Sequence, residues 1–189
     1  MGIRSFIAIP VPDGQAGALY KVQHALEVGR PVAPESWHVT LAFLGEQPET
    51  VLEELHERLS ELSVPAFGIR IAGTDIFGGR TPSLIYAGVD RSEALVHLRD
   101  KVRAAARGAG VNLPRERFRP HVTLARFPRK LTMLETQRIA GVLEAYGDLD
   151  AGTIDVDHFA LYRSDLTREG PVYEPLAEYS LARQDGVGV

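Results

Sequence analysis

One pentapeptide occurs twice in this chain: His38-Val39-Thr40-Leu41-Ala42 returns letter for letter as His121-Val122-Thr123-Leu124-Ala125, 83 positions later. Each copy is apolar and rich in β-branched residues, with a turn signal behind it, Gly45 in the first and Pro128 in the second. That composition reads as a strand. Residues two apart on a strand share a face. His38 and Thr40 therefore project to one side and Val39 and Leu41 to the other, and His121 and Thr123 repeat the arrangement. A single His-x-Thr carries almost no information, and duplication alone explains the shared Val, Leu and Ala as packing residues. Two polar residues kept on one face of both strands call for a further reason. A His/Thr face lining a cleft supplies it.

The elements around the two copies also repeat. Arg4 to Pro10 reads as a buried strand closed by Pro10 and Pro12. Asp13 stands where an N-cap belongs, before a helix from about Gly14 to Val28 that carries Leu19, Val22 and Leu26 at helical spacing and stops at Gly29 and Pro31. The first His strand, Trp37 to Leu44, follows. A second helix opens at Pro48-Glu49 with Val51, Leu52, Leu55 and Leu59 on one face, and a strand runs from Phe67 to Phe77 before the Gly78-Gly79 turn. The order then restarts: a strand at Ser83 to Val89, a helix capped by Asp90 or Ser92 and running to about Arg107, the second His strand at Arg119 to Phe127, a helix at Leu131 to Tyr146 and a strand at Thr153 to Tyr162. Tyr173 to Leu181 forms a last strand. Phe77 and Phe159 are expected to end equivalent strands, since their spacing matches that of the histidines to within one residue. A strand–helix–strand–helix–strand unit is thus present twice. Two such lobes related by a pseudo-twofold predict an α/β fold, residues 1–189 as a single bilobal domain, with two mainly antiparallel sheets facing across a central cleft and helices on the outer faces.

The absence of cysteine excludes disulfides, thiol nucleophiles and cysteine-based metal sites. The apolar run Phe6 to Ile9 is too short for a signal peptide or a membrane span, so the expectation is a cytoplasmic protein with no membrane partner, and a monomer. The net charge of −4 gives no overall bias toward nucleic acid. Its distribution does: Arg115, Arg117, Arg119, Arg126, Arg129 and Lys130 crowd the second His strand, opposed in that window only by Glu116. Extended alternation puts Arg115, Arg117 and Arg119 on the His121 face, against the alternative of a solvated basic loop. The same odd–even count puts Arg126 on the opposite face, so Arg126 needs a bulge or the strand's end to reach the cleft.

Histidine accepts and donates protons near neutrality. Two across a cleft make an acid–base pair, one activating a nucleophile while the other protonates a leaving oxygen. Thr40 and Thr123 offer hydroxyls to an anionic oxygen without a competing charge. No carboxylate accompanies either motif, which suits an anionic substrate such as a cyclic phosphodiester. A metal held by His38 and His121 alone would be short of ligands, so no metal and no cofactor are expected. The chain contains no Gly-x-Ser-x-Gly, His-Glu-x-x-His or Walker-type loop. His24, His56 and His97 read as helix-surface positions and His158 as a structural strand residue. Trp37 and Phe43 read as core, with a base-stacking aromatic as the second reading.

With these residues in place, the chain resembles the two-histidine phosphoesterases. Within that superfamily it is most similar to the bacterial and archaeal RNA 2′,3′-cyclic phosphodiesterases historically called 2′–5′ RNA ligases (LigT/ThpR-like). The resemblance is carried by Arg4 to Pro10, Trp37 to Gly45, Arg119 to Arg126 and the closing Leu161 through Gly170 and Tyr173 to Leu176. It implies metal-independent opening of a terminal 2′,3′-cyclic phosphate to a 2′-phosphomonoester. His38 would be the proton donor to the departing 3′ oxygen and His121 the acceptor that activates water. Thr40 and Thr123 would hold the phosphate, with Arg126 beside it. Reverse 2′–5′ joining of RNA ends would be secondary. Because the motifs are pseudo-symmetric, the residues by themselves do not say which histidine is acid and which is base. Two other readings stay open: a phosphodiesterase for a small cyclic nucleotide such as ADP-ribose 1″,2″-cyclic phosphate, and a non-catalytic module that grips RNA ends.

Overall fold

The computed structural model describes residues 2–12, 14, 16–79, 81–167 and 170–182. Among them are nine strands and four helices: β1 (Ile3–Pro10), α1 (Ala16–Leu26), β2 (Arg30–Pro31), β3 (His38–Gln47), α2 (Glu49–Ser60), β4 (Phe67–Phe77), β5 (Leu84–Val89), α3 (Glu93–Gly108), β6 (His121–Arg126), α4 (Met133–Tyr146), β7 (Asp150–Val156), β8 (His158–Thr167) and β9 (Gly170–Ser180). All pairings between these strands are antiparallel, in the order β7-β4-β5-β6-β3-β1-β8-β9, with β2 on the end of β6. The two halves of this order join at one residue pair, Val39 opposite Val122. At the other end, β7 runs into β8 with only Asp157 between them. One residue spans only about 7 Å of chain, so the sheet folds back until its far ends converge. Hydrogen bonds Ala66 N to Ala182 O and Leu181 N to Asp157 O tie that junction. The result is two antiparallel half-sheets with a cleft between them.

Each half borrows a strand from the other repeat. β4, from the first repeat, pairs with β5 of the second, while β8, from the second, pairs with β1 of the first. Helices α1 and α4 pack together against β6, β7 and β4, and α2 and α3 pack together against β3 and β9. One continuous apolar core lies beneath them, including Val39, Leu41, Val122 and Leu124, with Leu19, Val22 and Leu26 from α1 and Leu52, Leu55 and Leu59 from α2. None of the helices among the described residues is long and apolar enough to cross a membrane.

Local chemistry explains most boundaries. Ser92 caps α3 by accepting from Leu95 N at 3.2 Å, and Thr132 and Glu135 form a reciprocal capping box on α4. The expected cap of α1, Asp13, lies outside the described residues. That helix ends at Leu26, before Val28, because Glu27 and Gly29 take left-handed backbone at φ 47° and 78°. Three sequence expectations need correction. Gly45 does not end β3: at φ 71° it sits in a bulge beside Leu44, and the strand continues to Gln47. The strand expected over Thr153 to Tyr162 is two strands broken at Asp157, because β7 pairs with β4 and β8 with β1 in the opposite half. Phe159 therefore lies at the start of β8 and does not end a strand equivalent to β4. The short strand β2 and the 3-10 turn Pro34–Ser36 carry no periodicity that would announce them.

Candidate active site

The two copies of the pentapeptide fold alike down to their irregularities. In β3 the register against β1 slips between Ala42 and Thr40, leaving Leu41 unpaired in the ladder. In β6 the register against β5 slips between Ala125 and Thr123, leaving Leu124 in the same situation. A bulge inserts one residue and reverses the odd–even alternation beyond it. Leu41 and Ala42 are therefore both buried, as are Leu124 and Ala125, and the fifth residue after each histidine turns outward. This is how Arg126 reaches the His121 face. The bulge at Leu124 is held from outside the sheet: its carbonyl accepts from Gln23 Nε2 at 2.7 Å and from Val32 N at 2.9 Å.

The residue in the first strand that matches Arg126 is Phe43. Expected in the core, it stands 47% exposed, because the Leu41 bulge turns it away from the apolar face. Trp37, expected in the core, is there at 3% exposure. The guanidinium of Arg4 lies 4.6 Å from the centre of the Phe43 ring.

Each imidazole is oriented in the same way. His38 Nδ1 donates to Ser36 O at 2.7 Å and His121 Nδ1 to Arg119 O at 2.8 Å. A carbonyl only accepts, so Nδ1 carries the hydrogen in both rings and Nε2 keeps the lone pair. Aromatic rings fix the planes: Phe6 and Tyr173 lie 4.8 and 5.3 Å from His38, and Phe77 and Tyr86 lie 4.9 and 5.2 Å from His121. Both rings are half-buried. Burial is the largest influence on each and pushes its pKa down, with the backbone carbonyl working the other way. His38 falls to about 4, helped by repulsion from His121 and Arg126, and His121 is lowered with help from Arg126 and Arg119. Both are neutral at pH 7 in the free protein. Arg126 acting on both rings, and His121 acting on His38, place these three groups around one space.

The pairing of Val39 with Val122 also sets the register of the quartet. In an antiparallel pair it lines up His38 with Thr123 and Thr40 with His121, all four on the face away from the helices. Such a square offers two lone-pair nitrogens and two hydroxyls to one bound group. Two hollows flank it. One of about 380 Å³ is lined by Thr40 and His121 together with Phe43, Arg99, Arg117 and Phe118. The other, of about 120 Å³, lies between Arg126, Ser36 and Tyr173.

Of the remaining sequence candidates, Arg117 and Arg119 line the first hollow with His121, while Arg115, Arg129 and Lys130 are exposed and line neither hollow. Arg119 also donates to the Tyr86 hydroxyl at 3.1 Å. His24, His56 and His97 are exposed on their helices, His56 meeting the Tyr179 hydroxyl at 3.0 Å, and His158 pairs with Asp157 at 2.6 Å. Among the described residues, no group of three or more His, Asp or Glu side chains forms a metal-ligand cluster. The aromatic rings around each histidine were not legible as site residues, because Phe6, Phe77 and Tyr86 sit in strands indistinguishable from core.

Comparison with known proteins agrees with this architecture. The profile of the 2′-5′ RNA ligase superfamily matches residues 12–168. A Thermus thermophilus protein named RNA 2′,3′-cyclic phosphodiesterase is 33% identical, covering 97% of this chain and 93% of its own. One of the same name from Aeropyrum pernix is 32% identical over 81% of this chain and 86% of its own. Among solved structures, a chain from Thermus thermophilus superposes with a TM-score of 0.78 at 30% identity, covering 96% of this chain and all of that one. Apo E. coli LigT superposes with a TM-score of 0.74 at 26% identity, covering 96% and 98%. With twin His-x-Thr strands at the seam of a duplicated antiparallel sheet, this chain belongs to the 2′-5′ RNA ligase superfamily.

Proposed function

We propose that this chain hydrolyses the terminal 2′,3′-cyclic phosphate of RNA to a 2′-phosphomonoester, without a metal ion. The observation that carries the reading is the matched orientation of His38 and His121, each with Nδ1 tied to a carbonyl and Nε2 unprotonated, in a family whose relatives bear the name of that activity. His121 Nε2 takes a proton from water as the water oxygen bonds to phosphorus. The bond from phosphorus to O3′ breaks, and His38 Nε2 gives O3′ its proton. The product is a 2′-phosphomonoester with a free 3′-hydroxyl, and the two histidines exchange their proton with solvent. Thr40 and Thr123 donate hydrogen bonds to the non-bridging oxygens.

His38 begins neutral, so it must acquire a proton before it can act. The substrate's own negative charge beside the ring favours the charged imidazolium. A group that holds its proton weakly is then a strong donor to a departing alkoxide. With a 5′-hydroxyl in place of water, the same residues would open the ring to a 2′–5′ phosphodiester and a free 3′-hydroxyl, but the abundance of water favours hydrolysis.

Incubating wild type, His38→Ala and His121→Ala with a 2′,3′-cyclic phosphate substrate in EDTA tests the reading. Wild type should turn over and each variant should lose about a hundredfold or more. Activity that EDTA abolishes, or variants as active as wild type, would overturn it.

A further inference from the structure

We infer that Asp75, Tyr86 and Arg119 form a brace around His121 that His38 lacks, and that all three are positioning residues for the second histidine. The kinetic consequence rests on the hydrolase reading above, while the brace itself rests on geometry.

A chain of contacts closes on the ring. Ile76 N fixes Asp75 by donating to its Oδ1 at 2.7 Å. Asp75 Oδ2 accepts from the Tyr86 hydroxyl at 3.2 Å, and that hydroxyl in turn accepts from Arg119 at 3.1 Å. The Arg119 guanidinium also lies 4.9 Å from the centre of the Phe77 ring, and Phe77 stacks on Tyr86 at 4.5 Å. These are the two rings that flank His121. Arg119 therefore holds His121 twice: its carbonyl takes the Nδ1 hydrogen, and its side chain pins the rings that set the plane. One hydrogen bond leaves an imidazole free to swing about that bond. The rings remove this freedom.

Duplication does not account for the arrangement. In the second half-sheet Asp75 stands opposite Tyr86, and Tyr86 opposite Thr123. In the first, Ala160 stands opposite Ala8, and Ala8 opposite Thr40. The residue two before each histidine supplies the carbonyl in both halves, but it is Ser36 in one and Arg119 in the other. Asp75, Tyr86 and Arg119 thus take the places of Ala160, Ala8 and Ser36. The backbone geometry is shared and the polar triad is not. Nor does the triad owe its presence to folding: the Arg119 and Asp75 side chains are 54% and 59% exposed, and a pair so open to water adds little to stability. Its effect falls on the ring that it encloses.

Different tasks for the two histidines explain a one-sided brace. His38 delivers its proton to an oxygen of the ligand, which the bound phosphate keeps in place. His121 acts on a water molecule that no covalent bond holds, so the direction of its Nε2 lone pair decides where the attacking oxygen sits.

The test measures kcat and KM on a 2′,3′-cyclic phosphate substrate for wild type, Tyr86→Phe, Asp75→Ala and Asp75→Asn, with nitrogen-15 spectra of the histidine side chains. Tyr86→Phe keeps the ring against His121 and removes only the hydroxyl, while Asp75→Asn keeps an acceptor for it. Tyr86→Phe and Asp75→Ala should each lower kcat by about tenfold with KM within about twofold of wild type, and Asp75→Asn should retain about half of wild-type kcat or more. In the spectra, His121 should change from the Nδ1–H tautomer alone to a mixture in Tyr86→Phe and Asp75→Ala, with His38 as in wild type. Unchanged kcat in both of those variants, a His121 signal that does not move, or His38 changing alongside it would overturn the inference and leave the hydrolase reading standing. Absence of turnover in wild type would overturn that reading, and the spectra would then decide the brace by themselves.

Discussion

Replacing His38 by Gln should make folding less sensitive to acid. Burial holds the His38 imidazole at about 4 against its ordinary 6.5, the Ser36 carbonyl opposes the shift, and His121 and Arg126 add to it. In the unfolded chain the ring returns to its ordinary value. Between these two pKa values the unfolded chain binds more protons than the folded one, so the contribution to stability is present above pH 6.5 and is lost as pH falls through 4. The displacement amounts to ~3 kcal/mol when fully developed. Roughly 2 kcal/mol of it separates pH 7 from pH 4.5. Carboxylates titrate over the same range, so the informative quantity is a difference of differences. Urea unfolding of wild type and His38→Gln at both pH values should show wild type losing ~2 kcal/mol more than the variant. Gln keeps a donor for Ser36 O and has no proton to gain, so the comparison isolates titration. Equal acid losses in the two proteins would refute the picture of an imidazole held neutral by its surroundings.

The other expectations are more local. Sulfate does not titrate between pH 6 and 8, so its binding, followed by calorimetry, should tighten severalfold as pH falls across that range, because the bound anion restores a proton to an imidazole; pH-independent affinity would count against a shared anion site. Thr123→Val should cut kcat about tenfold or more with a shift in unfolding midpoint worth less than ~1 kcal/mol; undiminished turnover would remove Thr123 from the phosphate. Gln23→Leu should destabilise by ~1–2 kcal/mol and lower activity, because the Leu124 carbonyl loses a donor and the bulge that turns Arg126 loosens; stability lost with activity intact would separate the bulge from the site. At Gly29, φ is 78° and an added Cβ would meet Arg126 O at 2.5 Å, so Gly29→Ala should cost more than the ~1 kcal/mol typical of a glycine in left-handed backbone, measured by thermal unfolding.

The helices and strands were legible because periodicity marks them: α2 shows Leu52, Leu55 and Leu59 one turn apart, and the β4 bounds Phe67 and Phe77 coincide with the ends of an alternating run. The repeated pentapeptide exposed the quartet His38, Thr40, His121 and Thr123 for the same reason, since alternation assigns faces before any tertiary contact is known. Alternation misplaced Phe43, because a bulge is a property of the ladder between two strands and leaves no mark in either one alone. Arg126 could be placed only on condition of such a bulge. The break at Asp157 was invisible on similar grounds: β7 and β8 are chemically alike, and only their partners in opposite half-sheets divide them. Arg99 carries no mark in the sequence, since its burial comes from the 111–120 segment folding over α3.

The paired bulges bear on the direction in which a ligand lies. Two identical imidazole arms cannot by themselves distinguish the entering side of a phosphodiester from the leaving side. The fifth position after each histidine is the first after the shared pentapeptide at which the two copies differ, one carrying a phenyl ring and the other a guanidinium. Exchanging Phe43 with Arg126 would carry the guanidinium from the second copy to the first and shift the cleft's positive charge toward the other strand.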